Sequence, residues 1–236
     1  MRRTFEDALS WSAAGTRLFF GAVAGWGEEQ YLAPSGLPGW TRKHLVAHVA
    51  ANADALSNLV RWAATGEETP MYSSIEQRNA DIAAGSEKPA AGLAAWLYES
   101  ANQLAAGTAA LSSEQWDAEV VTAQGRTVPA TEIPWLRSRE ICVHAVDLAA
   151  GVAFADLPTG FLAALADDIV GKRGNAPGPA VVLTAADTGD CWELSGEDDA
   201  TAVTGPLAEV AAYLAGRPHA LTATDGSPAP TLPAWL

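Results

Sequence analysis

Arg139-Glu140-Ile141-Cys142-Val143-His144-Ala145-Val146-Asp147-Leu148 sets a carboxylate and an imidazole four residues apart in an otherwise apolar run. The run reads as helix, and that spacing puts Glu140 and His144 on one face, about 5–6 Å apart at Cβ. Over a helix spanning 131–150, Leu136, Glu140, Val143, His144 and Asp147 fall on one stripe. Ionisable groups therefore point where a core would normally lie. An unpaired buried carboxylate is very costly; a salt bridge is one remedy and a bound divalent cation another. A simple hydrogen-bonded Glu–His pair is the plainer outcome of such spacing.

The neighbouring sequence supplies helices to pack against this one. Phe5 to about Gly25 reads as an Ala-rich helix with Leu9, Leu18, Phe19 and Phe20 as core contacts. After the breaker Pro34 to Gly39, Thr41 is the N-cap of a helix running to Thr65, with Gly66 at its C′ position. Its apolar stripe, Leu45, Val49, Leu56 and Leu59, also contains His48 and Asn52. Ser74-Ile75-Glu76-Gln77 has the form of a capping box that starts a short helix carrying Arg78. Pro89 to Ser112 is a further long helix, and Val120 to Pro129 is an extended excursion. Thr131 is the expected cap of the next helix, with Pro134 in its first turn and Gly151 at its end. The expected architecture is an up-down four-helix bundle over 1–154.

Beyond Phe154 the pattern changes. A helix from Thr159 to Val170 precedes the breaker Gly171 to Pro179. Short β-like runs follow at 181–183, 191–194 and 202–204, then a helix from Gly205-Pro206 to Leu214 and an irregular strap, 226–236, pinned by Trp235. This predicts a second, smaller α/β domain over 155–236, hence an α+β multidomain chain.

Composition narrows the function. The chain has 236 residues, 49% of them apolar, nine Trp and a formal charge of −14, so an ordered protein is expected. No basic tract is present to neutralise phosphates, which argues against nucleic acid or an anionic membrane as partner. Two Cys are too few for a disulfide framework. Met1-Arg2-Arg3 is followed by Glu6, Asp7 and Ser10 rather than an apolar leader core. No run approaches the roughly 18 apolar residues needed to cross a bilayer. A cytoplasmic protein is expected, with a monomer as the default.

His48 offers a third donor to Glu140 and His144, and three protein ligands leave a fourth position open for a reacting group. Two imidazoles and a carboxylate suit zinc, although the same set serves non-haem Fe(II). Asp147 reads as an acceptor that orients an imidazole rather than as a ligand. His44, one turn before His48, is a competitor expected to be exposed beside Arg42 and Lys43. Cys142 faces away from Glu140, about 200° round the helix, and Cys191 lies in a β-like run; neither is a ligand or nucleophile candidate.

Several stretches together resemble the mycothiol-dependent maleylpyruvate isomerases. They are Gly39 to Ala50, Arg61 to Tyr72, Arg78-Asn79, Val121 to Ala130 with its Thr-Ala-Gln-Gly-Arg-Thr-Val-Pro core, Arg137 to Glu140 with His144 to Leu148, and Ala215-Gly216-Arg217. The first alone would indicate only the broader DinB-like bundle superfamily of thiol-linked metalloenzymes. The resemblance implies a metal-binding bundle and a C-terminal domain similar to sterol-carrier folds. It implies His48, Glu140 and His144 as zinc ligands, Arg78 as an active-site residue, and Arg217 as one reaching the site from the second domain. It also implies mycothiol as thiol cosubstrate and a small dicarboxylate substrate, maleylpyruvate, converted to fumarylpyruvate in the gentisate route of aromatic degradation. A mycothiol-dependent S-transferase acting on other electrophiles is the alternative on the same bundle. Arg126, Arg137 and Arg139 are weaker candidates, the last two placed for simple ion pairs with Glu132 or nearby acids.

Overall fold

The computed structural model describes residues 3–174, 177–196, 199–233 and 235. Two residues of the 171–179 breaker and two of the C-terminal strap therefore lie outside the described residues, as do Met1 and Arg2. Contacts divide the chain into two units, residues 8–152, and residues 1–7 with 153–236.

The larger unit is built on α1 (Phe5–Val23), α2 (Glu28–Leu32), α3 (Arg42–Thr65), α4 (Ile75–Ser86), α5 (Ala90–Ala110), α6 (Ser113–Trp116) and α7 (Ile133–Asp147). Between α6 and α7, β1 (Glu119–Val121) and β2 (Thr127–Pro129) pair antiparallel, so the extended excursion is a short hairpin. Helix α3 is the spine of this unit and packs against α4, α5 and α7. Its Leu45, Val49, Leu56 and Leu59 are fully buried, each stabilising by about 1.5–3 kcal/mol relative to exposure.

Both ends of α3 are set locally. Thr41 is extended (φ −80°, ψ 168°), and its N–H and hydroxyl lie 3.4 and 2.8 Å from His44 Nδ1. Gly66 takes the left-handed conformation (φ 73°) and returns its N–H to the Trp62 carbonyl, the αL stop that glycine allows. Ser74 caps α4 through the Gln77 N–H. The reciprocal half of the expected box is replaced, because the Gln77 side chain donates to Asp81 instead.

Helix α7 departs from expectation at both ends. A 3-10 turn, Ala130–Glu132, precedes it, so Glu132 rather than Thr131 stands at the N-cap. It stops at Asp147, four residues before Gly151, because distant groups take its last carbonyls. The Arg42 guanidinium donates to the carbonyls of Leu148 (2.8 Å) and Ala149 (2.6 Å), and the Gly36 N–H donates to that of Asp147 (2.7 Å). A cation at a helix C-terminus also complements the macrodipole. A Cβ on Gly36 would come within 3.2 Å of the Asp147 carbonyl oxygen, so this close approach favours glycine.

On α1 the buried face is Ala8, Trp11, Gly15, Phe19 and Val23. Leu9, expected in the core, is 39% exposed. Gly15 lets α1 lie against Ile141 and Cys142 of α7, and Phe20 packs edge-on against Tyr98 of α5.

The smaller unit contains α8 (Thr159–Arg173), β3 (Val181–Ala185), β4 (Cys191–Leu194), β5 (Thr201–Gly205) and α9 (Leu207–Leu214). Strand order is β4-β3-β5, with β4 antiparallel and β5 parallel to β3. Leu183 of β3, opposite both Trp192 and Val203, sits in the core that α8 and α9 cover. Tyr213 of α9 donates to the Pro230 carbonyl (2.6 Å) and Arg173 to that of Pro233 (2.7 Å), holding the strap. Among the described residues no helix is long and apolar enough to cross a membrane.

Candidate metal centre

The hydrophobic register of α3 turns His48 inward, and the packing of α7 on α3 brings Glu140 and His144 to meet it. Glu140 Oε2 lies 2.9 Å from His48 Nε2 and 3.4 Å from His144 Nε2. The two imidazoles cross edge to face with centroids 4.9 Å apart. One donor atom from each of the three residues falls within 4.8 Å of the others. The plain Glu–His pair expected at i,i+4 is thus joined by an imidazole from 92 residues away.

Each donor has a partner that fixes its orientation. Asp147 Oδ2 is 2.9 Å from His144 Nδ1, leaving His144 Nε2 turned toward Glu140, the usual carboxylate–histidine support of a metal ligand. Burial would lower the His144 pKa, but Asp147 and Glu140 outweigh it and raise it to about 9. Burial likewise opposes ionisation of Glu140, and the hydrogen bonds from His144 and His48 override it, holding the carboxyl well below its usual value. For His48, burial prevails over the pull of Glu140 and the pKa is lowered. Arg78 Nη2 stands 3.3 Å from His48 Nδ1.

Arg78 also lies over the Tyr72 ring, 5.9 Å from its centroid, and donates to the Asn79 amide oxygen (3.2 Å). His44 is half-buried rather than exposed, and its Nδ1 faces Thr41, so it serves the helix cap. Trp40 lies against both His44 and His48, edge-on to His48 with centroids 5.8 Å apart. Cys142 packs on the opposite side of α7, its thiol toward the Trp11 carbonyl, and burial pushes its pKa up to about 12. Arg217 belongs to the smaller unit, where it follows α9; its N–H donates to the Ala212 carbonyl (2.9 Å) and its Nη1 to that of Ala215 (2.6 Å).

Two residues beside the cluster, Asn52 and Tyr72, had no assigned role in the sequence reading, and Arg137 was misjudged. Arg137 is 3% exposed and is no surface ion pair; Nη1 donates to the Val49 carbonyl (2.8 Å) and to Asn52 Oδ1 (2.9 Å). Asn52, one turn beyond His48, thereby ties α3 to α7. Burial lowers the Arg137 pKa to about 10, against the pull of Glu140 and Tyr72. Arg139 is 7% exposed. Tyr72, whose phenol is held above its usual pKa by burial, comes from a loop with no local signal. Its ring under Arg78 and its electrostatic tie to Asn52 and Glu140 mark it.

The donor set can be tested against a cation. Zinc bound tetrahedrally at about 2.0–2.1 Å places its ligands roughly 3.3 Å apart, and the two donor contacts converging on Glu140 Oε2 bracket that spacing at 2.9 and 3.4 Å. The two imidazole nitrogens lie within 4.8 Å of each other, and two imidazoles with one carboxylate form a donor set suited to a divalent cation.

Fold and site together define a helical-bundle enzyme with a three-donor centre and a separate α/β unit. Residues 12–149 match the family described as the mycothiol maleylpyruvate isomerase N-terminal domain. Two solved structures are similar over almost all of both chains: a mycothiol-dependent maleylpyruvate isomerase and a histidine-to-alanine variant of one. Each is 39% identical, with a TM-score of 0.93, covering 99% of this chain and 98% of the other. Among curated proteins none matches this chain. The chain belongs to the mycothiol-dependent maleylpyruvate isomerase family.

Proposed function

We propose that this chain converts maleylpyruvate to fumarylpyruvate in the gentisate route, using mycothiol as thiol cosubstrate and a zinc ion held by His48, Glu140 and His144. The observation that carries the reading is the convergence of two imidazoles on one carboxylate oxygen, 2.9 and 3.4 Å away. A divalent ion at such a centre supplies thiolate at neutral pH, where a free thiol near pKa 8.5 is only a few per cent ionised.

The isomerisation itself needs the double bond removed for a moment. Sulfur adds to one alkene carbon, the π pair moves onto the conjugated carbonyl oxygen, and the new single bond rotates. Return of the pair expels the same thiolate, so no atom is gained or lost. The chain's residues have three tasks here. Asp147 keeps the His144 ring in one orientation, and Asn52 with Arg137 keeps α3 and α7 in register. Arg78, already 3.3 Å from His48, is assigned to grip a substrate carboxylate and the developing enolate, since a guanidinium holds a carboxylate by two parallel bonds. Arg217 is assigned a second such grip on the strength of the resemblance. The reaction belongs in the cytoplasm, where low-molecular-weight thiols stay reduced.

The test is the loss of maleylpyruvate absorbance with and without mycothiol, beside metal analysis of the purified protein. About one zinc per chain is expected, lost with activity in His48→Ala, Glu140→Ala and His144→Ala. Full activity in the metal-free triple variant refutes the centre. Thiol consumption with added electrophiles but no isomerisation, unaffected by Arg78→Met, would point to S-transfer instead.

A further inference from the structure

A groove of about 670 Å³ runs through the larger unit between α3, α4 and α5. On α3 its lining starts at Ala51, one turn beyond His48, and His48, Arg78, Glu140 and His144 do not themselves line it. Ala51, Ala55 and Asn58 line it, and they follow His48 along α3 at i+3, i+7 and i+10, one continuous stripe. At 1.5 Å per residue, that stripe carries the groove about 15 Å away from the His48 ring. Tyr72, in contact with Arg78 near the cluster, lines it as well.

The walls are rigid and selective. Trp96 is fixed by its indole N–H donating to Asp54 Oδ2 (2.8 Å). It also lies so close to Gly85 that a Cβ there would meet the ring at 2.5 Å. Asn58 holds the facing segment by donating to the carbonyls of Pro70 and Met71. Among the described residues that line the groove, Asp54, Asp81 and Glu99 stand against a single cation, Lys88, three negative charges to one positive. A dicarboxylate is repelled there, so the substrate assigned to Arg78 does not belong in it. Each carboxylate has about four acceptor positions; among the described residues Asp54 accepts from the Trp96 indole and Asp81 from the Gln77 amide, which leaves acceptor positions on both. Hydroxyl groups can fill acceptors of this kind, and an indole wall suits the apolar face of a saturated ring.

We propose that this groove binds the hydroxyl-rich, uncharged or cationic body of the thiol cosubstrate while its sulfur lies at the cluster, an inference that rests on the thiol-dependent reading above. Mycothiol carries its sulfur on a hydroxyl-rich pseudodisaccharide; N-acetylcysteine offers a sulfur with no such body.

Isothermal titration of the zinc-loaded full chain with each thiol separates the two. Ala84→Leu, an exposed helical position that projects into the groove, and Glu99→Gln, which keeps shape and removes charge, are the variants, with zinc content and melting temperature as controls. Mycothiol Kd should rise about tenfold in Ala84→Leu and severalfold in Glu99→Gln, while N-acetylcysteine Kd stays unchanged; tenfold corresponds to about 1.4 kcal/mol. Unchanged mycothiol affinity in both variants overturns the groove and leaves the centre standing, as does equal weakening of both thiols. Failure of wild type to bind either thiol overturns both readings.

Discussion

Replacing Gly15 by Ala sets two opposed effects against each other on one helix. Ala is favoured over Gly in a helix interior by about 0.5–1 kcal/mol. Yet a Cβ at Gly15 would lie 2.6 Å from both Cys142 Sγ and Ile141 Cγ2, and 3.2 Å from the Cys142 nitrogen. Ordinary contact is about 3.4–4 Å, so two side chains must give by roughly 1 Å. Neither can turn aside easily, since both are fully buried and Ile is stiff at χ1. Overpacking of this kind costs about 1–3 kcal/mol, which outweighs the propensity gain and leaves a net loss of about 1–2 kcal/mol. Gly21 on the same helix is exposed, with nothing within 4 Å of a new Cβ, so Gly21→Ala should gain about 0.5–1 kcal/mol. At about 2–4 °C per kcal/mol for a chain of this size, the two variants should melt on the order of 5–10 °C apart, Gly15→Ala below wild type and Gly21→Ala above it. Thermal unfolding followed by far-UV circular dichroism reads this directly. Equal stabilisation by both substitutions would refute the tight α1–α7 contact.

Asp147→Asn keeps the shape beside His144 but weakens the hold on its Nδ1–H; zinc affinity, measured by competition with a chromogenic chelator, should fall about 10–100-fold with the fold retained. Ellman's reagent should titrate one thiol per native chain, exposed Cys191, and two after denaturation, because Cys142 is buried; two fast native thiols would contradict the packing of α7. Burial raises the Tyr213 phenol to about 12, so the native chain keeps a proton that the unfolded chain loses near its ordinary pKa of about 10. Its contribution is complete below pH 10 and disappears as pH rises from about 10 toward 12. Tyr213→Phe should therefore show a shallower loss of stability across that window in urea titrations, and an unchanged slope would count against the buried phenol.

What the sequence made legible was what local chemistry decides. The bounds of α3 could be read because Thr41 and Gly66 stop the helix by their own conformations. Glu140 and His144 could be paired because four residues is a helical distance. The end of α7 could not, since the group that takes its last carbonyls, Arg42, is 106 residues away from Leu148. Leu9 was misplaced for a similar reason: α1 buries whichever face its partners admit, and the decisive residue there is a glycine that carries no hydrophobic signal. Arg137 looked placed for a simple ion pair with Glu132 or nearby acids because nothing local reveals that Asn52 and a carbonyl of α3 wait for it. Tyr72 sits in a loop where periodicity says nothing, and the groove beside it exists only once three helices are assembled.

Helix α7 carries Arg137, Arg139, Glu140, His144 and Asp147 through the middle of the bundle, interleaved with buried Trp135, Ile141 and Val143. Apolar replacements there can match or exceed the stability of buried charge networks, so thermal resilience and chemistry pull this helix in opposite directions. Anyone seeking a hardier version of the protein should leave α7 untouched and work on the outer faces of α1 and α5, where durability can be gained without disturbing the His48–Glu140–His144 cluster.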